Sequence, residues 1–346
     1  MNIISYLLSP VYLFNPINYV IPYVTPYNKL IKKPKLDNIK YMKLILLNMD
    51  GLLRNSNKPI IIAKESFNYY REYNNKTQIC IITNESRKTS KTIKKELIIM
   101  GYNMFNIKLI SASTIIKNYI EELIILNKDI TTINKPLRFS LVVEESIYFY
   151  IKDNLYNKYQ NIEFIWLFDK NKQIKNKENL TKIEDNKETN NFIDYFIIGS
   201  IDNDNPDKLF NIKNKLLEQV KSNQTAKFIL MCPDVKKVEV TLLLPSYILS
   251  IINKSLYLNI KAYCPNKPES KYIKKEIRAL YNIDIDSDNK NIIMIGDNIN
   301  TDIEMGKNLN IQTGLVLSGT TNINDLNYKN TLGINYIVPD LSYFLY

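Results

Sequence analysis

The stretch Lys43-Leu44-Ile45-Leu46-Leu47-Asn48-Met49-Asp50-Gly51-Leu52-Leu53 decides the fold. Four aliphatic side chains follow one another without polar alternation. Such a run suits a strand covered on both faces, as in a parallel sheet. It ends abruptly in Asn48, Asp50 and Gly51, residue types that favour turns. Residues 60–73 then read as a helix, and Gln78-Ile79-Cys80-Ile81-Ile82-Thr83 repeats the pattern as a second buried strand ended by Asn84-Glu85-Ser86. An amphipathic helix over 88–100 stops at Gly101. Strand, helix, strand, helix at this spacing predicts a parallel α/β sheet.

The same grammar returns near the C-terminus. Ile260–Tyr263 is predicted to be a strand running into Cys264-Pro265-Asn266-Lys267-Pro268, with a helix over 269–281. Asn291–Gly296 is a strand followed by Asp297-Asn298-Ile299-Asn300-Thr301-Asp302 and a helix toward Gly306. Ile311–Leu317 is a further strand. The middle of the chain carries strand-like runs at 139–143, 192–198 and 228–231, and helical patterns at 206–221 and 243–253. A Lys/Asn/Glu tract over 169–191 has few apolar residues and reads as a solvated insertion.

Composition removes several chemistries. The 346 residues contain no His, so no triad or metal site built on imidazole can exist, and acid–base work falls to carboxylates, Lys, Tyr or Cys. Cys80, Cys232 and Cys264 are odd in number and widely spaced, which suits a reducing compartment rather than a disulfide framework. There are 46 Asn and 41 Lys but only 5 Arg, a skew that AT-rich codons produce. Net charge is +11, of which the acid-free first 36 residues supply +4. Five scattered Arg make a poor footprint for reading nucleic acid, so a solvated Lys surface accounts for the charge, with RNA contact left open. Residues 1–36 are apolar and aromatic but interrupted by Pro10, Pro16, Pro22 and Pro26, so they hold no run long enough to span a membrane. They read either as an organelle-targeting segment or as an arm packed on the body.

The polar clusters Asn48/Asp50, Thr83/Asn84, Lys267 and Asp297/Asp302 all follow predicted strands, and open α/β sheets bind ligands at that edge. Five of the eight glycines, Gly51, Gly296, Gly306, Gly314 and Gly319, lie in or just after the first and last clusters. Together these motifs resemble the haloacid dehalogenase (HAD) superfamily, in its class IIA branch of NagD, 4-nitrophenylphosphatase and phosphoglycolate phosphatase. The matching residues are Asn48-Met49-Asp50-Gly51-Leu52-Leu53, Thr83-Asn84, Asn266-Lys267-Pro268 and Gly296-Asp297-Asn298-Ile299-Asn300-Thr301-Asp302-Ile303, with Thr313–Gly319 behind them. The resemblance covers about residues 42–325. It implies a HAD-like Rossmannoid core over 41–111 and 251–346 and an inserted α/β cap of the C2 type over 112–250, while the composition of the first residues leaves 1–40 as an N-terminal arm or targeting segment.

The resemblance also implies roles. Asp50 becomes the general acid/base. Thr83, Asn84 and Lys267 hold the phosphoryl group. Mg²⁺ is held around Asp50, through its backbone carbonyl, with Asp297 and Asp302, the last orienting either the metal shell or Lys267. The position of the attacking Asp is occupied by Asn48, whose carboxamide has no anionic oxygen and weakens the metal site by one charge. Two expectations follow. One is a pseudoenzyme that binds a phosphorylated ligand or serves as a scaffold in a protein or RNA assembly, such as a mitochondrial ribosome. The other is an active Mg²⁺-dependent phosphomonoester hydrolase, mitochondrial or cytoplasmic.

Overall fold

The computed structural model describes residues 31–34, 39, 41–74, 76–133, 135–168, 192–202, 206–233 and 242–345. The polar tract over 169–191 and the first 30 residues lie outside them. The strands are, in chain order, β1 (Leu44–Leu47), β2 (Arg54–Asn55), β3 (Lys58–Pro59), β4 (Gln78–Thr83), β5 (Lys108–Ser111), β6 (Leu137–Val142), β7 (Ile162–Trp166), β8 (Tyr195–Ile198), β9 (Ile201–Asp202), β10 (Lys227–Leu230), β11 (Leu242–Leu243), β12 (Ala262–Tyr263), β13 (Ile292–Gly296), β14 (Gln312–Val316) and β15 (Tyr336–Val338).

Six of them form a parallel sheet in the order β15-β14-β13-β1-β4-β5. The opening stretch is its centre, with β1 paired to β13 on one side and β4 on the other. All four β1 side chains are fully buried and divide between two cores. Ile45 and Leu47 pack with Phe67 of the helix Ile61–Tyr73, Leu97 of the helix Ser90–Ile99 and Phe344. Leu44 and Leu46 pack with Tyr272, Ile273 and Ile277 of the helix Lys271–Tyr281 and with Met305 of the helix Glu304–Asn308. Both faces are thus covered by helices, which is why the strand needs no polar alternation. Burying each such aliphatic side chain stabilises the fold by about 1.5–3 kcal/mol. Helix Lys271–Tyr281 shows the local logic: Tyr272, Ile273 and Ile277 face the sheet, Lys274, Lys275 and Arg278 face away, and Asn282 in the left-handed region ends it.

The chain leaves β1 toward β4 and β5, then returns to β13, β14 and β15 on the opposite side. The order therefore reverses between β1 and β13, and their C-terminal ends open a crevice at that point. A second parallel sheet, β12-β10-β8-β6-β7, is built from the intervening chain. Its faces are covered by helices Ala112–Leu126 and Glu145–Leu155 on one side and by Pro206–Ser222 and Pro245–Leu256 on the other. Helix Ala112–Leu126 belongs to both bodies. Ile115 lies in a core of the first sheet, while Ala112, Ile116 and Ile120 lie in the core of the second.

Two expectations are corrected here. Ile260–Tyr263 was expected to lie in the first sheet, delivering Lys267 from a strand end. Only Ala262 and Tyr263 form strand, and they pair with Phe228 and Ile229 at the edge of the second sheet. The expected boundary at 250 falls inside helix Pro245–Leu256, whose Ile248 and Ile252 pack on the second sheet, so the insertion runs on to Tyr263. Of residues 1–40 only 31–34 and 39 are described; there Lys32 exchanges backbone hydrogen bonds with Ile337 of β15 (3.0 and 2.9 Å), and Lys33 lies over the Tyr343 ring. Among the described residues no helix is long and apolar enough to cross a membrane.

Candidate active site

Asn48 follows β1 directly, its amide donating to Ile295 O of β13 at 2.9 Å. That bond places the side chain at the β1/β13 reversal, where it is 8% exposed. Its Nδ2 donates to the Asp50 carbonyl at 2.8 Å and to Asp297 Oδ1 at 2.7 Å. Its Oδ1 accepts from Lys267 Nζ at 2.8 Å. Lys267 is 2% exposed, and its ammonium also donates to Ile82 O at 3.2 Å and to Asp302 Oδ1 at 2.6 Å. Asp302 is fully buried, and its Oδ2 accepts the backbone N–H groups of Asp297 and Asn298 at 3.2 and 3.1 Å.

Asp297 sits at the end of β13, 1% exposed. Its Oδ2 accepts from the Thr320 amide at 2.6 Å. Burial, and then the charge of Asp302, push its carboxyl up to about 6, against the opposing pull of the Thr320 bonds. Two glycines make room for it. A Cβ on Gly51 or on Gly319 would stand 2.2 Å from Asp297 Oδ2, and Gly51 also has φ +79°. Only glycine fits there. Ser318 Oγ donates to Gly51 O at 2.9 Å and ties these loops together.

Asp50 was expected to serve a metal through its backbone carbonyl, and that carbonyl accepts from Asn48 Nδ2, whereas its carboxylate is bound to Arg54. The carboxylate is half-exposed and accepts from Arg54 Nε at 2.8 Å, so Asp50 gives the crevice its carbonyl only. Among the described residues no three carboxylates or thiols converge so as to hold a metal ion. Thr83 Oγ1 accepts from the Glu85 amide at 3.0 Å, capping its own turn. Asn84 Nδ2 reaches Lys267 O at 3.5 Å, while its buried Oδ1 has no partner. All the anticipated residues therefore gather at one sheet edge, but Lys267 arrives from a loop after the second sheet.

Residue-type reasoning did not single out Arg54. It is buried and joins Asp50, Glu96 (3.0 Å) and Glu85 (3.6 Å). Its signal was available: one of five Arg, placed four residues after Asp50. Glu85 passes the chain of charges to Arg87 (2.6 Å), and Arg87 to Asp202 of the second sheet's body (2.7 Å). Ser86, Ser200 and Cys232 form a second, buried contact between the bodies, with Ser86 Oγ donating to Ser200 Oγ at 2.9 Å.

Comparison with known proteins agrees with this architecture. Residues 45–143 match the family described as haloacid dehalogenase-like hydrolase, and residues 265–343 match a second described as HAD-hydrolase-like. The chain belongs to the haloacid dehalogenase superfamily. Each of these HAD matches takes in one side of the crevice. Among solved structures, p-nitrophenyl phosphatase from Archaeoglobus fulgidus is similar, with a TM-score of 0.61, 17% identity, and 88% of this chain and 98% of that one covered. NagD from E. coli K-12 gives a TM-score of 0.60 at 15% identity, covering 87% and 97%. A double mutant of a thermostable NPPase from Geobacillus stearothermophilus gives 0.57 at 20% identity, covering 87% and 97%. At these identities the likeness concerns the fold, a HAD-like parallel-sheet core with an inserted α/β cap. No curated protein sequence matches the chain.

Proposed function

We propose that this HAD-like phosphatase homologue has lost most or all turnover and acts by binding. One observation carries the reading. The residue at the head of the first motif is Asn48, and both ends of its carboxamide are spent on Asp50, Asp297 and Lys267. A carboxamide oxygen accepting from an ammonium is a poor nucleophile toward phosphorus, whereas the superfamily's reaction needs an anionic oxygen at this point. Lys267 is equally committed, since all three of its hydrogens have partners inside the protein.

The ligand class suited to the crevice is a small phosphorylated compound, and the protein would serve as a binding or scaffold subunit. The basic arm and the Lys-rich surface support a protein or RNA assembly in an organelle such as the mitochondrion. The second reading, an active phosphomonoester hydrolase, is favoured by the survival of Asp50, Lys267, Asp297 and Asp302 in one cluster.

The test is turnover of p-nitrophenyl phosphate with Mg²⁺ by the natural chain and by Asn48→Asp. The natural chain should be slower by several orders of magnitude. Equal rates overturn the proposal in favour of the hydrolase. Co-purification of the full chain with a stable partner or RNA tests the scaffold role, and a clean monomer counts against it.

A further inference from the structure

We infer that the Asn48 carboxamide stands where a divalent cation would stand, so that the natural chain assembles this site without metal and excludes Mg²⁺ from it. The inference rests on the reading of Asn48 given above and extends it from chemistry to occupancy.

Two oxygens at the β1/β13 crevice face a common point, the Asp50 carbonyl and Asp297 Oδ1. The point is filled: Asn48 Nδ2 lies 2.8 Å from the first and 2.7 Å from the second, one hydrogen for each. An amide NH₂ offers two donors and no acceptor, which matches two acceptor oxygens. The other end of the carboxamide is equally determined. Lys267 Nζ can only donate, and it meets Asn48 Oδ1 at 2.8 Å. The network then closes on itself, through Asp302 with both oxygens engaged and through Asp297 Oδ2 on the Thr320 amide.

Mg²⁺ requires about six oxygens in near-octahedral array at roughly 2.0–2.1 Å. Admitting it here means turning the carboxamide end for end, so that Oδ1 joins the two oxygens. That turn sets the NH₂ against the Lys267 ammonium, donor against donor, inside a region with almost no solvent exposure. It strands an ammonium hydrogen, and buried unpaired donors are costly. Asn48 also brings no charge to offset stripping water from the cation. The residues present therefore do not fit the metal that the superfamily resemblance implies.

The test is thermal unfolding and isothermal titration of the purified full chain in EDTA, then with MgCl₂ or MnCl₂. The midpoint of the natural chain should not move, and no stoichiometric heat should be seen. Asn48→Asp faces three acceptors toward one another and should unfold earlier in EDTA. It should then recover by roughly 3–4 °C when the cation is present at a hundred times its dissociation constant. A midpoint shift or 1:1 binding in the natural chain, abolished by Asp297→Asn, overturns the inference. This measurement decides even if the Asp variant fails to fold. The two proposals also fail separately: an inactive chain that binds Mg²⁺ sinks only this one, and a metal-free chain that hydrolyses p-nitrophenyl phosphate sinks only the reading of lost turnover.

Discussion

The two parallel sheets of this molecule use the same aliphatic material, yet they differ at their edges. At the C-terminal end of the first sheet, Lys267, Asp297 and Asp302 are buried around Asn48, with Arg54 buried close by. Among the described residues, the buried polar side chains of the second sheet's body, such as Ser140, Ser200 and Asn223, are uncharged. Both sheets bury apolar surface, which stabilises either one. Among the described residues only the first also buries ions, which costs free energy unless every charge is paired. The difference marks where the fold keeps a site that packing alone does not require.

If that contrast is real, substitutions at the first edge should cost far more than those in the second sheet. The largest effect is expected for Lys267→Met, which leaves the Asp302 carboxylate buried without its cation. A loss of about 3–5 kcal/mol in urea denaturation is expected. Gly51→Ala should come next. It forces a side chain into a positive-φ position and against Asp297, for about 2–3 kcal/mol.

A smaller effect tests the junction between the bodies. Arg87 and Arg54 hold the Glu85 carboxyl below the ordinary carboxylate range, against the opposing cost of burial. A depressed folded value means the stabilisation is present above the ordinary Glu range and is lost as pH falls through the folded value. Acid titration of stability should therefore steepen there. Glu85→Gln should remove roughly 1–2 kcal/mol at neutral pH and flatten the curve. The smallest change belongs to the second sheet. Ser140 donates to Gln219 at 2.8 Å, and Ser140→Ala should cost about 1 kcal/mol. A Ser140 effect as large as that of Lys267 would break the comparison.

The centre of the first sheet was readable because Leu44–Leu47 and Gln78–Thr83 are long enough, and apolar enough, to admit one interpretation. The edges were not. β5 begins with an exposed Lys108, and β15 is three residues long, so neither carries a strong periodic signal. Ala262–Tyr263 was assigned to the wrong sheet because two residues hold no information about their partner, and pairing with Phe228 is a tertiary matter. At the site, residue types located Asn48, Thr83, Lys267, Asp297 and Asp302. The direction of the Asp50 carboxylate was not legible, since it depends on Arg54, a residue that enters no turn or strand-end pattern. The cation-like placement of the Asn48 amide is likewise a matter of distances.

The helix Ala112–Leu126 gives the two bodies a common fate. It buries Ile115 under the first sheet and Ile116 and Ile120 under the second. Asn118 donates to Glu276, and the Tyr119 ring meets both Tyr263 and Tyr272. Melting either sheet strips one side of this helix, and a helix of 15 residues held by one face alone is marginal in water. Loss of one core therefore propagates to the other, and heat should unfold the chain in one cooperative step rather than two.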